Sequence, residues 1–135
     1  MPNYEAILTE AHAAADKAIL DHYAAGNVEQ PYNCGFAWVT IDGRSGMARH
    51  CRNKMANRHE AGRDAWLCYG DKSESGWQWW SPGNWPTVEQ VKAVRPDFDD
   101  RIYTQDMSFN FEGAKAFAEV LTKHGVAARA SQRLD

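Results

Sequence analysis

The chain has 135 residues and a mass near 15.2 kDa, the size of one compact domain spanning residues 1–135. Hydrophobic residues make up 44% and charged residues 24%, a globular balance that excludes collagen-like and wholly disordered chains. No apolar run approaches the roughly 18 residues of a membrane span, and Met-Pro-Asn-Tyr-Glu-Ala is no secretory start. The expectation is a cytoplasmic protein with no membrane partner. Net charge is −3 but unevenly spread: −5 over residues 1–43, +4 over 44–72 and −2 over 73–135. A weakly acidic chain is a poor nucleic-acid binder, because that binding needs many Lys and Arg contacts to phosphates. One basic stretch on an acidic body suits a small anion; a solvated helix face is the plain alternative.

The first predicted element is a helix over 4–25. Tyr4, Ile7, Leu8, Ala11, Ala15, Ala18, Ile19 and His22 recur near a 3.6 period, with Asn3 as N-cap and Gly26 beyond the end. A polar loop over 27–33 follows. Residues 34–41 read as a strand ending at the Asp42-Gly43 turn. Alternation puts Gly35, Ala37, Val39 and Ile41 on one face and Phe36, Trp38 and Thr40 on the other. Small residues on one face suit a helix packed close; aromatics on the other suit a second surface or a ligand.

A second helix is expected over 46–60, capped by Ser45, with Met47, Cys51 and Met55 on its apolar face. Residues 64–69 and 76–81 read as strands of a hairpin, turned by Asp71, Ser73, Ser75 and Gly76. Residues 83–108, broken by Pro86 and Pro96, read as a long irregular loop with a short helix over 87–94. A further helix is expected over 111–124, with Asn110 as N-cap and Gly125 beyond its end, then a last strand over 126–131. The class is α+β: a mainly antiparallel sheet with helices packed on it.

Catalytic motifs are lacking. The chain has no G-x-S-x-G, Walker A, G-x-G-x-x-G or H-E-x-x-H. His12, His22, His50, His59 and His124 are scattered, and Cys34, Cys51 and Cys68 stand 17 residues apart with no C-x-x-C pair. No catalytic residue, metal ligand or cofactor is assigned, and the protein is expected not to be an enzyme. What remains is binding. Arg44, Arg129 and Arg133 fall at predicted strand ends, where guanidinium pairs could hold phosphate. Phe36 and Trp80 offer faces on which a base could stack. Phe36, Arg44, Trp80, Asn110, Arg129 and Arg133 are therefore the candidate ligand-binding residues. Surface ion pairs are the ordinary alternative for each Arg.

Cys34-Gly35-Phe36-Ala37-Trp38-Val39 resembles the "CGFAWV" strand of a family of small phage-encoded proteins. Their Trp-rich segment is similar to Trp77-Gln78-Trp79-Trp80-Ser81-Pro82. Their "GA-AYAEVL" helix, Gly turn and "SRLD" end resemble residues 113–121, Gly125 and Ser131-Gln132-Arg133-Leu134-Asp135, with Gln132 inserted. Residues 83–108 look longer than in those relatives. The family is identified with the phage Thoeris anti-defence sponges. The resemblance implies a non-enzymatic protein that binds cyclic ADP-ribose isomers, or cyclic di- and trinucleotides, without cleaving them. It also implies a homodimer, assembling up to a hexamer, in the host bacterial cytoplasm. It assigns no ligand residue in this chain. A protein–protein inhibitor using the Trp-rich segment, and a small nucleotide-processing enzyme, are the alternatives.

Overall fold

The structure is a computed structural model that describes residues 2–25, 35–55, 67–69, 76–98 and 107–134. Among them the elements run α1 (Tyr4–Ala24), β1 (Gly35–Ile41), α2 (Gly46–Met55), β2 (Leu67–Tyr69), β3 (Trp77–Trp80), α3 (Val88–Val94), α4 (Met107–Lys123) and β4 (Ala128–Leu134). The class is α+β, as the sequence predicts. The strands form one sheet in the order β2-β3-β1-β4, and every neighbouring pair is antiparallel. The predicted turn at 71–75, the polar loop 27–33, and positions Gly26, Cys34, His59, 56–60 and 64–66 lie outside the described residues.

β1 is the central strand. Its β-branched and aromatic residues suit a pleated ribbon, and its alternation sets the two sides of the molecule. Ala37, Val39 and Ile41 are buried under the helices with Trp79 of β3 and Phe117 of α4. The register sets Val39 against Trp79 on one side and Ala130 on the other, so all three share the helix-covered face. α1 joins this core through Ile7, Leu8, Ala11 and Ala15. The alanines of α1 let it lie close to α4 and the sheet. A second cluster of Ile19, Tyr23, Val91, Phe98 and Phe109 closes the far end, with Leu20 and Trp85 against it.

Residues 83–98 are less irregular than their prolines suggest, and the expected short helix over 87–94 is present as α3; 99–106 lie outside the described residues. Thr87 caps α3 with a reciprocal pair: its side chain accepts from the Gln90 amide, and Gln90 Oε1 accepts from the Thr87 amide at 2.8 Å. Trp85, Val91 and Phe98 pin the segment to the core. α4 begins at Met107, not 111, because Phe109 extends the apolar stripe one turn earlier. Its end follows expectation. Gly125 adopts φ 83°, its N–H donates to the Thr122 carbonyl and the Val126 N–H donates to that of Leu121, a Schellman cap. β4 runs through Leu134, three residues beyond the predicted end.

Ion pairs tie α1 to its neighbours. The Glu5 carboxylate accepts from Lys54 Nζ at 2.9 Å and pairs with His50 Nε2 at 2.6 Å, both on α2. Glu10 pairs with Lys123 and with His124 at the end of α4. The His50 hydrogen bond, joined by Lys54, holds the Glu5 carboxyl below its ordinary 4.5 against the opposing effect of burial. A carboxyl lowered on folding stabilises the native state above its unfolded value, and that gain is lost as pH falls through the folded value. Glu5→Gln should thus cost under about 1 kcal/mol at pH 7, since the carboxylate is half exposed and screened. The gap from wild type should close as the pH is taken below 4.5, measured by urea unfolding across pH.

Gly113 gives a sharper packing test. A Cβ there would lie 2.7 Å from the Pro82 carbonyl oxygen and 3.2 Å from the Ile19 side chain. Alanine normally gains about 0.5–1 kcal/mol over glycine inside a helix, but this clash costs about 1–3 kcal/mol. Gly113→Ala should lower the midpoint of thermal unfolding.

Candidate functional site

The face of the sheet turned away from α1 and α4 carries the residues of opposite parity. On β1 these are Phe36, Trp38 and Thr40; on β3, Gln78 and Trp80; on β4, Arg129, Ser131 and Arg133. Trp38 and Trp80 are direct cross-strand partners and stack with centroids 5.0 Å apart and planes 22° apart. Phe36 meets Trp80 edge-on at 5.8 Å. Arg133 lies opposite Phe36, and its guanidinium carbon sits 5.6 Å from the Phe36 ring centre and 6.0 Å from that of Trp38. This is cation–π range. Phe36 is 37% exposed, so the cluster presents an aromatic face and a cation to solvent together.

Of the four clustered tryptophans, only Trp80 belongs to this face. Period-two alternation sends Trp79 into the core against Phe117, 5.1 Å away, and Trp77 packs beside the same core. Trp85 joins the second cluster and donates its indole N–H to Asn110 Oδ1 at 3.2 Å. The Trp-rich segment is a sheet strand, not a protruding loop.

Beyond Thr40 the sheet ends in a depression of about 700 Å³. Its wall includes Thr40, Asp42, Arg44, Arg52, Gly76, Ala128 and Arg129. Arg44 follows β1, Arg52 projects from α2, and Arg129 pairs with Thr40 across β4. The local turn shapes one side: Asp42 Oδ1 accepts the Arg44 backbone N–H at 2.8 Å, and Ser45 Oγ caps α2 by accepting from the Ala48 amide. The hydrogen bond from Arg44 holds the Asp42 carboxyl below its ordinary range. The Arg44 side chain is 93% exposed.

A buried polar chain joins the aromatic cluster to this depression. The Trp80 indole N–H donates to Gln78 Oε1 at 3.1 Å, and Gln78 Nε2 donates to Thr40 Oγ1 at 3.4 Å. Gln78 and Thr40 are 3% and 5% exposed. Each bond replaces one with water that burial removed, so the chain fixes the three side chains relative to one another.

The candidate residues therefore fall into two groups and one outlier. Phe36, Trp80 and Arg133 come together. Arg44 and Arg129 come together at the other end of the same face. Arg133 lies within β4 rather than after it, because the strand runs on to Leu134. Asn110 belongs to neither group: it is an interior residue of α4, 3% exposed, and accepts from Trp85. It is not an N-cap, because α4 begins three residues earlier, and its burial against Trp85 sets it apart from both groups. Trp38, Thr40, Gln78 and Arg52 join the site without having been singled out. The parity of β1 already put Trp38 and Thr40 beside Phe36. For Arg52, only the positive excess of residues 44–72 was a signal.

Among the described residues no three His, Cys, Asp or Glu side chains are grouped closely enough to hold a metal ion, and no helix is long and apolar enough to cross a membrane. The chain matches no family model, no curated protein and no solved structure.

Gln78 tests the polar chain. Gln78→Leu preserves bulk but leaves the Trp80 indole N–H without its acceptor, at a cost of about 1–3 kcal/mol. Urea unfolding should show that loss, and the near-ultraviolet circular dichroism of the Trp38–Trp80 stack should weaken with it.

Proposed function

We propose that the protein binds and sequesters a small cyclic nucleotide, of the cyclic ADP-ribose or cyclic oligonucleotide kind, and leaves it intact. The observation that carries this reading is Arg133 lying over Phe36 and Trp38 beside the Trp38–Trp80 stack. Such a surface suits a planar base, which every nucleotide offers, next to negative charge. The rings are held by strand pairing and the Trp80–Gln78 bond, so little ordering entropy is lost on binding. The partial match to the sponge family's strand, Trp segment and C-terminal end leads to the same reading. A sequestering protein must outcompete a receptor, so nanomolar affinity is required, about −12 kcal/mol. That demand favours a pocket closed by a second copy, and the proposal includes a homodimer, assembling up to a hexamer, acting in the bacterial cytoplasm.

The test is calorimetry of the purified protein against cyclic ADP-ribose isomers and cyclic di- and trinucleotides, then mass spectrometry of ligand released by heat. Nanomolar binding with the ligand recovered intact is the expected outcome. Arg133→Ala should weaken it at least tenfold, through loss of a charge-assisted contact. A cleaved product would make the protein an enzyme. Absence of binding across the panel, with capture of a defined host protein, would make it an inhibitor of that protein.

A further inference from the structure

The depression at the end of the sheet has a different chemistry from the aromatic cluster. Among the described residues its wall carries three guanidinium groups, from Arg44, Arg52 and Arg129, and one carboxylate, that of Asp42. Arg44 and Arg129 stem from adjacent strand ends and Arg52 from α2, so three elements converge on one concavity. Arg52, and Arg44 beside Asp42, bring positive charge to this concavity, which an anion complements.

Thr40 adds a neutral donor. Its Oγ1 accepts from Gln78 Nε2, so its own hydroxyl proton is left to donate. Thr40 is 5% exposed and lines the depression. A buried hydroxyl with a proton to give, in a wall that also carries Arg44 and Arg52 from separate elements, suits phosphate better than a planar carboxylate, because phosphate offers acceptors in several directions.

We infer that this depression is a phosphate-binding site of its own, and that it takes a diphosphate or phosphodiester group. The inference rests on the proposed nucleotide reading only for the identity of the whole ligand; the anion site stands on its own residues. Thr40 and Trp38 are two residues apart on one face of β1, a separation of about 7 Å. A nucleotide can reach across that gap, with its base on the aromatic face and its phosphate among the arginines. The Trp80–Gln78–Thr40 chain holds the two ends in fixed relation. Asp42 competes for Arg44, so an occupying anion must draw that guanidinium from a contact of 3.5 Å.

Two probes separate the ends: inorganic pyrophosphate for the depression and adenosine for the aromatic face, both by calorimetry. Pyrophosphate should bind the wild-type protein with an affinity that falls as sodium chloride is added. The double variant Arg44→Ala/Arg52→Ala, altered only at exposed positions, should lose at least tenfold in pyrophosphate affinity and keep its adenosine affinity. Thr40→Val should lose roughly tenfold, and Thr40→Ser should restore it by keeping the donor. Trp38→Ala should weaken adenosine and leave pyrophosphate within about twofold. Pyrophosphate binding that is absent, or equal in the double variant, overturns the site even if cyclic nucleotides bind. Pyrophosphate binding that follows this pattern without adenosine binding upholds the site and overturns the base-stacking reading.

Discussion

Strict alternation along β1 is the constraint from which the rest of the molecule follows. One parity of this strand is small or aliphatic and lets α1 and α4 lie close; the other is aromatic and polar. A slip of one residue in its pairing would exchange the two sides, burying Phe36 and Trp38 under helices packed for alanine. β3 and β4 both take their register from β1, so the positions of Trp79 in the core and Trp80 outside it are set by the same count. The core and the candidate site are two sides of one ladder.

α1 reinforces that arrangement from the other side of the sheet. Its carboxylates reach α2 and the end of α4, and Asp16 accepts the Asn84 backbone N–H at 2.5 Å, holding the turn that leaves β3. Each of these contacts is weak in solvent. They act on different neighbours, however, so α1 fixes the direction of three segments whose apolar packing alone would tolerate small sliding. α2 is the important one for the proposed phosphate site, since its orientation decides where the Arg52 side chain emerges.

Much of this architecture was legible in the residues. The periodicity of α1, the parity of β1, the hairpin of β2 and β3, and the Gly125 stop are local patterns, and local patterns survive folding. The failures have a common physical cause. Asn110 is polar and precedes a periodic stretch, so it reads as a cap. Its burial depends on Trp85, a partner 25 residues earlier in the chain, and no window of sequence contains that pairing. The segment 83–108 reads as a loop carrying a short helix over 87–94; that helix is present, and Trp85, Val91 and Phe98 pack its surroundings against Tyr23. The site was half visible for the same reason. Residue types pointed to arginine and aromatic chemistry, but only the register between β1 and β4 shows that Arg133 and Arg129 serve opposite ends of one face.

The stacked pair of Trp38 and Trp80 carries a further consequence. Two indoles with centroids 5.0 Å apart couple their electronic transitions. Trp79, next to Trp80 in sequence, sits on the other face, in the core against Phe117. Among the described residues the protein therefore holds indoles of two kinds: a stacked pair on the outer face, and Trp77, Trp79 and Trp85 packed in or against the core. A ligand or partner that disturbs the stack would weaken the paired-sign circular-dichroism band such coupling gives, a signal of the outer face that needs no label.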